Sequence, residues 1–148
     1  MSRRLFLSVL ASFLLLGSLA RADMPAFYSS QGAAIGGYDT VAYFTTGEAV
    51  RGQSDIAVMW KGALWMFSSR KNREMFEANP RAYAPQYGGY CAYAMAKGQA
   101  SGADPAAWRI VNGKLYLIHN RTYMKVWERD PSQYIVLGNA NWPGVLRR

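Results

Sequence analysis

"MWKGALWMFSSRKNREMFEANPRAY" (residues 59–83) and "IVNGKLYLIHNRTYMKVWERDPSQY" (residues 110–134) align without a gap at a constant offset of 51. Gly62 meets Gly113, Leu64 meets Leu115, Trp65 meets Tyr116 and Arg70 meets Arg121. Phe76 then meets Trp127, Glu77 meets Glu128, Pro80 meets Pro131 and Tyr83 meets Tyr134. Residue type is kept where backbone geometry or core volume demands it, which marks a tandem duplication.

One unit explains why those positions match. A short apolar strand (Ile56 to Trp60; Ala107 to Val111) reaches a turn at Lys61-Gly62 or Asn112-Gly113. Asn-Gly supplies the positive backbone angles that a tight hairpin needs. A second strand follows, Leu64 to Phe67 or Leu115 to Ile118. Ser69 or Asn120 then stands where a side-chain oxygen caps the free amides of a helix. The helix carries Met75 and Phe76, or Tyr123, Val126 and Trp127, on one face. Asn79-Pro80 and Asp130-Pro131 stop it, because proline disfavours helical geometry in the residue before it. The fold class is therefore α+β, with two tandem ββα units (about 56–83 and 107–134) packed as one small domain. Trp60, Trp65, Phe67, Phe76, Trp108, Tyr116 and Trp127 are the expected core. Two units can bury their apolar faces against each other, which one alone could hardly do.

Outside the units, Val41 to Phe44 reads as a strand after a glycine turn, and residues 45–52 as a loop. The linker Ala84 to Pro105 contains "YGGYCAYAMAKG" (87–98), and Trp142 docks the short tail.

The chain is 148 residues long, 51% hydrophobic and 18% charged, which suits one packed domain and argues against disorder. Arg3 and Arg4 precede the apolar run Leu5 to Leu16, and an A-x-A pattern at residues 20–22 places signal-peptide cleavage before Asp23. Residues 1–22 are thus a signal peptide and 23–148 the mature domain, periplasmic or secreted. "SRRLFLS" (2–8) resembles the twin-arginine consensus, while the short charged region and strongly apolar run fit general secretion, so both routes stay open. The apolar run is too short for a good membrane span, so the mature chain is expected to carry no membrane anchor. Removing Arg3, Arg4 and Arg21 takes the 17 basic residues to 14 against 9 acidic ones, net +5. They are scattered, which argues against nucleic acid as a partner.

The first unit resembles the YHS domain, whose pattern runs from a glycine turn and aromatic strand through F-C-S-x-x-C and a helix to D/N-P-x-x-Y. The longer stretch from "IGGYDTVAYF" (35–44) through "YAPQYGGYCAYAMAKG" (83–98) to "ANWP" (140–143) resembles that family's exported single-domain branch. The resemblance implies metal binding, with copper the candidate cofactor. It rests on the cysteine pair, and here F-C-S-x-x-C has become Phe67-Ser68-Ser69-Arg70-Lys71-Asn72. Serine and asparagine are poor ligands for a soft metal. In the second unit His119, the chain's only histidine, holds the first cysteine position.

Cys91 is the only cysteine, in a chain bound for an oxidising compartment where thiols usually pair. Gly88-Gly89 breaks the chain, and Tyr90 to Lys97 reads as a short helix closed by Gly98. Cys91 falls in its first turn, where free amides and the helix dipole stabilise negative charge. Met95 is one turn on, and thiolate plus thioether suits Cu(I). The candidate metal ligands are Cys91, Met95 and His119. The partners expected are a metal ion or a periplasmic protein. Three readings stand: a non-enzymatic, soft-metal-binding protein; an aromatic-rich module for a protein or small ligand without metal; and a thiol enzyme with Cys91 as nucleophile and His119 as base. Cys91 as a packed core residue is the plain alternative to all three.

Overall fold

The computed structural model describes residues 23–148, so the expected signal peptide lies outside the described residues. The fold is α+β. A two-residue pairing of β1 (Ser29–Ser30) with β2 (Ala33–Ala34) leads into a tight 3-10 turn, Ile35–Gly37, and a short helix α1 (Ala42–Thr45). Strands β3 (Gln53–Trp60) and β4 (Ala63–Phe67) form an antiparallel hairpin, followed by α2 (Arg70–Ala78) and α3 (Pro80–Tyr83). The linker carries a second 3-10 turn, Gln86–Gly89, and α4 (Ala92–Ala96). The second hairpin joins β5 (Asp104–Val111) and β6 (Lys114–Ile118). Helices α5 (Arg121–Trp127) and α6 (Pro131–Asn141) complete the second unit.

The duplication is exact in hydrogen-bond register. Gln53 pairs with Phe67 and Asp104 with Ile118; Ala57 pairs with Met66 and Trp108 with Leu117. Both hairpins carry the same irregularity between those pairs. Lys61 and Asn112 adopt matching left-handed φ values of 48° and 50° at the two turns. Ser69 accepts from the Asn72 amide at 3.1 Å and Asn120 from the Tyr123 amide at 2.9 Å, so both helices are capped as their side chains suggest.

Strand β6 is the wall between two cores. Leu115 and Leu117 face a cluster built from the first unit, with Trp65, Phe67 and Phe76. Tyr116 and Ile118, on the opposite face, meet Trp127, Tyr90, Cys91 and Met95. Alternation along one strand thus ties the units together. Of the seven expected core aromatics, Trp65, Phe67, Phe76, Tyr116 and Trp127 are buried. Trp60 and Trp108 are half-buried and pack against the first cluster. Trp108 lies edge-on to Tyr43, ring centroids 5.1 Å apart.

Three expectations change. Residues Val41 to Phe44 form no strand: Val41 caps the helical turn α1, which takes in Ala42 to Phe44, because the Asp39 carboxylate accepts from the Val41 and Ala42 amides and starts a turn. Pro80 and Pro131 end one helix and begin another, each at a first-turn position where its missing N–H costs nothing. The strands extend further back, to Gln53 and Asp104.

Candidate functional site

The duplication reaches beyond the ββα units. Residues Ile35–Gly36–Gly37–Tyr38 and Tyr87–Gly88–Gly89–Tyr90 run through the same turn. Their first three φ values are 54°, 58° and 82° in one copy and 55°, 61° and 82° in the other. The residue after each turn is Asp39 in the first copy and Cys91 in the second. Asp39 N–H donates to Val50 O at 2.8 Å and Cys91 N–H donates to Ser101 O at 2.9 Å, so the two backbones are held alike.

Their side chains occupy the same place. Asp39 is fully buried, and its Oδ1 accepts from Val41 N–H (2.9 Å) and Ala42 N–H (3.3 Å). Its Oδ2 accepts from Ser68 N–H (2.8 Å), Ser68 Oγ (2.6 Å) and Asn72 Nδ2 (2.8 Å). Cys91 is equally buried, and its Sγ accepts from Ala94 N–H (3.4 Å) and His119 N–H (3.1 Å). Ala94 corresponds to Ala42, and His119 to Ser68. The fold therefore aims main-chain donors from α-helical turn and strand end at one point in each copy.

What differs is the cover. In the first copy the side chains of Ser68 and Asn72 close over the anion. Their counterparts, His119 and Tyr123, are exposed and make no hydrogen bond to the sulfur. A cleft of about 250 Å³ remains there, with Cys91, His119, Tyr93, Tyr123 and Lys97 among its walls. Tyr93 stacks near Tyr123 with centroids 4.9 Å apart, and Lys97 Nζ lies 5.6 Å from the Tyr93 ring. His119 Nδ1 lies 3.0 Å from Gly102 O. A carbonyl only accepts, so Nδ1 carries the hydrogen of this contact and Nε2 is the nitrogen whose lone pair a metal could use. A backbone carbonyl behind Nδ1 is the usual support for an imidazole that ligates through Nε2.

The structure thus brings Cys91 and His119 to one cleft and leaves Met95 out of it. Met95 is fully buried in the second core and is not among the cleft's walls. Met95 does lie one turn on, its amide donating to Cys91 O at 2.9 Å, but its side chain packs in the second core and not on the cleft wall. The nucleophile–base pairing needed by a thiol enzyme is not formed, since the imidazole bonds to Gly102 O and only the His119 main chain meets the sulfur. Among the described residues, no group of three or more His, Cys, Asp and Glu side chains gathers as a metal cluster. Tyr93, Lys97 and Tyr123 were not foreseen as site residues. The signal was present in "IGGY" followed by Asp39 and "YGGY" followed by Cys91, which repeat at 52 rather than 51 because the second copy is one residue shorter before the hairpin.

Comparison with family profiles, curated proteins and solved structures finds no match. No helix among the described residues is long and apolar enough to cross a membrane.

Proposed function

We propose that this chain is an exported, non-enzymatic protein of YHS type that binds a soft metal ion, with Cu(I) the best fit, in the Cys91 cleft. The observation that carries this reading is the substitution of sulfur into the place of a buried anion. Asp39 receives five donors, two of them from the side chains that cover it. Cys91 receives two, both from the main chain, and although fully buried it forms part of the wall of a cleft. A sulfur that accepts only two main-chain hydrogen bonds keeps lone-pair capacity for a soft cation at the cleft. A thiolate with one imidazole is a donor set for a soft ion of low coordination number, and a poor one for Ca(II) or Mg(II). Cys91 Sγ and His119 Nε2 would hold the ion; Met95 would not.

The test is an anaerobic titration of the protein with Cu(I) against a competing chelator, with Zn(II) in parallel. One equivalent of Cu(I) should bind, and melting temperature should rise with free Cu(I), because a ligand specific to the native state adds to its stability. Absence of saturable Cu(I) binding, or tighter binding of Zn(II), would overturn the proposal.

A further inference from the structure

A second groove, of about 320 Å³ and sharing no lining residue with the Cys91 cleft, runs between the first hairpin, the linker and the tail. Its walls include Trp60, Lys61, Arg81, Tyr87 and Trp142, and among the described residues no acidic side chain lines it. Lys61 and Arg81 are exposed, and neither takes part in an ion pair among the described residues. Lys61 Nζ lies 5.2 Å from the Trp60 ring, so the cation is placed beside an aromatic face. Burial, then the neighbouring Tyr116, pushes the Tyr87 hydroxyl well above the usual tyrosine range. That group stays neutral and donates to Asn139 Oδ1 at 2.9 Å.

The second copy shows that this composition is not required by the fold. Where the first has Trp60, Lys61 and Arg81, the second has Val111, Asn112 and Ser132 in the same hairpin and helix start. The contrast is sharpest at the turn. Both residues hold a left-handed φ, 48° at Lys61 and 50° at Asn112, which asparagine adopts readily and lysine does not. A lysine kept at a strained position that the copy fills with the better-suited residue points to use of its charge. Arg81 replaces a neutral serine at the same groove.

We propose that this groove binds a small molecule carrying a carboxylate on a planar aromatic body. The carboxylate would lie between Lys61 Nζ and the Arg81 guanidinium, with the ring against Trp60 and Trp142. The cationic lining disfavours cations, and a bare inorganic anion would leave the aromatic faces unused. The site is independent of the Cys91 cleft.

The probe is 2-naphthoate, with naphthalene-2-carboxamide as its neutral counterpart and inorganic phosphate as a bare anion, each titrated by calorimetry. Wild type should bind 2-naphthoate more tightly than the other two. The exchange K61N/R81S, which installs the second copy's residues, should weaken 2-naphthoate binding about tenfold or more, since charged hydrogen bonds are lost. Its melting temperature should be unchanged or higher, because asparagine suits the turn. C91S should bind the probe like wild type. Equal binding of naphthoate and its amide, no binding of either, or full affinity in K61N/R81S with the fold intact would each overturn the assignment.

Discussion

Cys91→Ser should lower Cu(I) affinity by about a hundredfold or more, because a hydroxyl is a hard, weak donor for a soft ion. The substitution is chosen to leave the scaffold alone. Serine is a strong N-cap residue, and its Oγ can accept from the Ala94 and His119 amides that now donate to sulfur. Stability should therefore fall by only about 1 kcal/mol. His119→Ala should weaken Cu(I) binding less, since it removes one imidazole and keeps the main-chain donor to sulfur. Met95→Leu should leave affinity unchanged while perturbing the second core. If Cys91→Ser binds Cu(I) as wild type does and merely melts lower, Cys91 is a packing residue and the metal reading fails.

Asp39→Ala should destabilise the protein by about 3–5 kcal/mol through the donors it strands, read as a lower denaturant midpoint at unchanged slope. The carboxylate is fully buried without a cationic partner among the described residues, and the hydrogen bonds it accepts offset its desolvation. Removing it strands donors from three segments: the start of α1, the end of β4 and the first turn of α2. Each buried donor left unsatisfied costs about 1–3 kcal/mol. Asp39→Asn keeps shape and one acceptor and should cost less than the alanine variant. A loss below about 1 kcal/mol for Asp39→Ala would show that water replaces the carboxylate and that the node is not structural.

The parts of this fold legible in the sequence are those whose residues act locally. Glycine in a hairpin turn, Ser69 and Asn120 as caps, and proline at a helix start mean the same thing in any tertiary setting, so the 51-residue repeat could be read directly. Residues set by longer-range partners were harder. Val-Ala-Tyr-Phe at 41–44 has strand-like composition, and only the Asp39 carboxylate explains why it turns. Helix α6 was not foreseen, because Pro131 looked like an end rather than a beginning. At the candidate site, Cys91 and His119 were found from residue type alone. Their meeting through the His119 main chain, and the kinship of Cys91 with Asp39, depend on contacts 28 or more residues apart in sequence. Met95 lies one turn from Cys91 as the spacing implies, but its place in the second core rather than on the cleft wall is set by tertiary packing that spacing does not show.

The most direct test of a soft ion held by one sulfur and one imidazole is X-ray absorption at the copper edge on the one-to-one Cu(I) complex. The spectrum should require a single sulfur and an imidazole nitrogen in the first shell, with the sulfur lost in Cys91→Ser. A first shell with two sulfurs, which would bring Met95 back, or one of nitrogen and oxygen alone, would contradict the account.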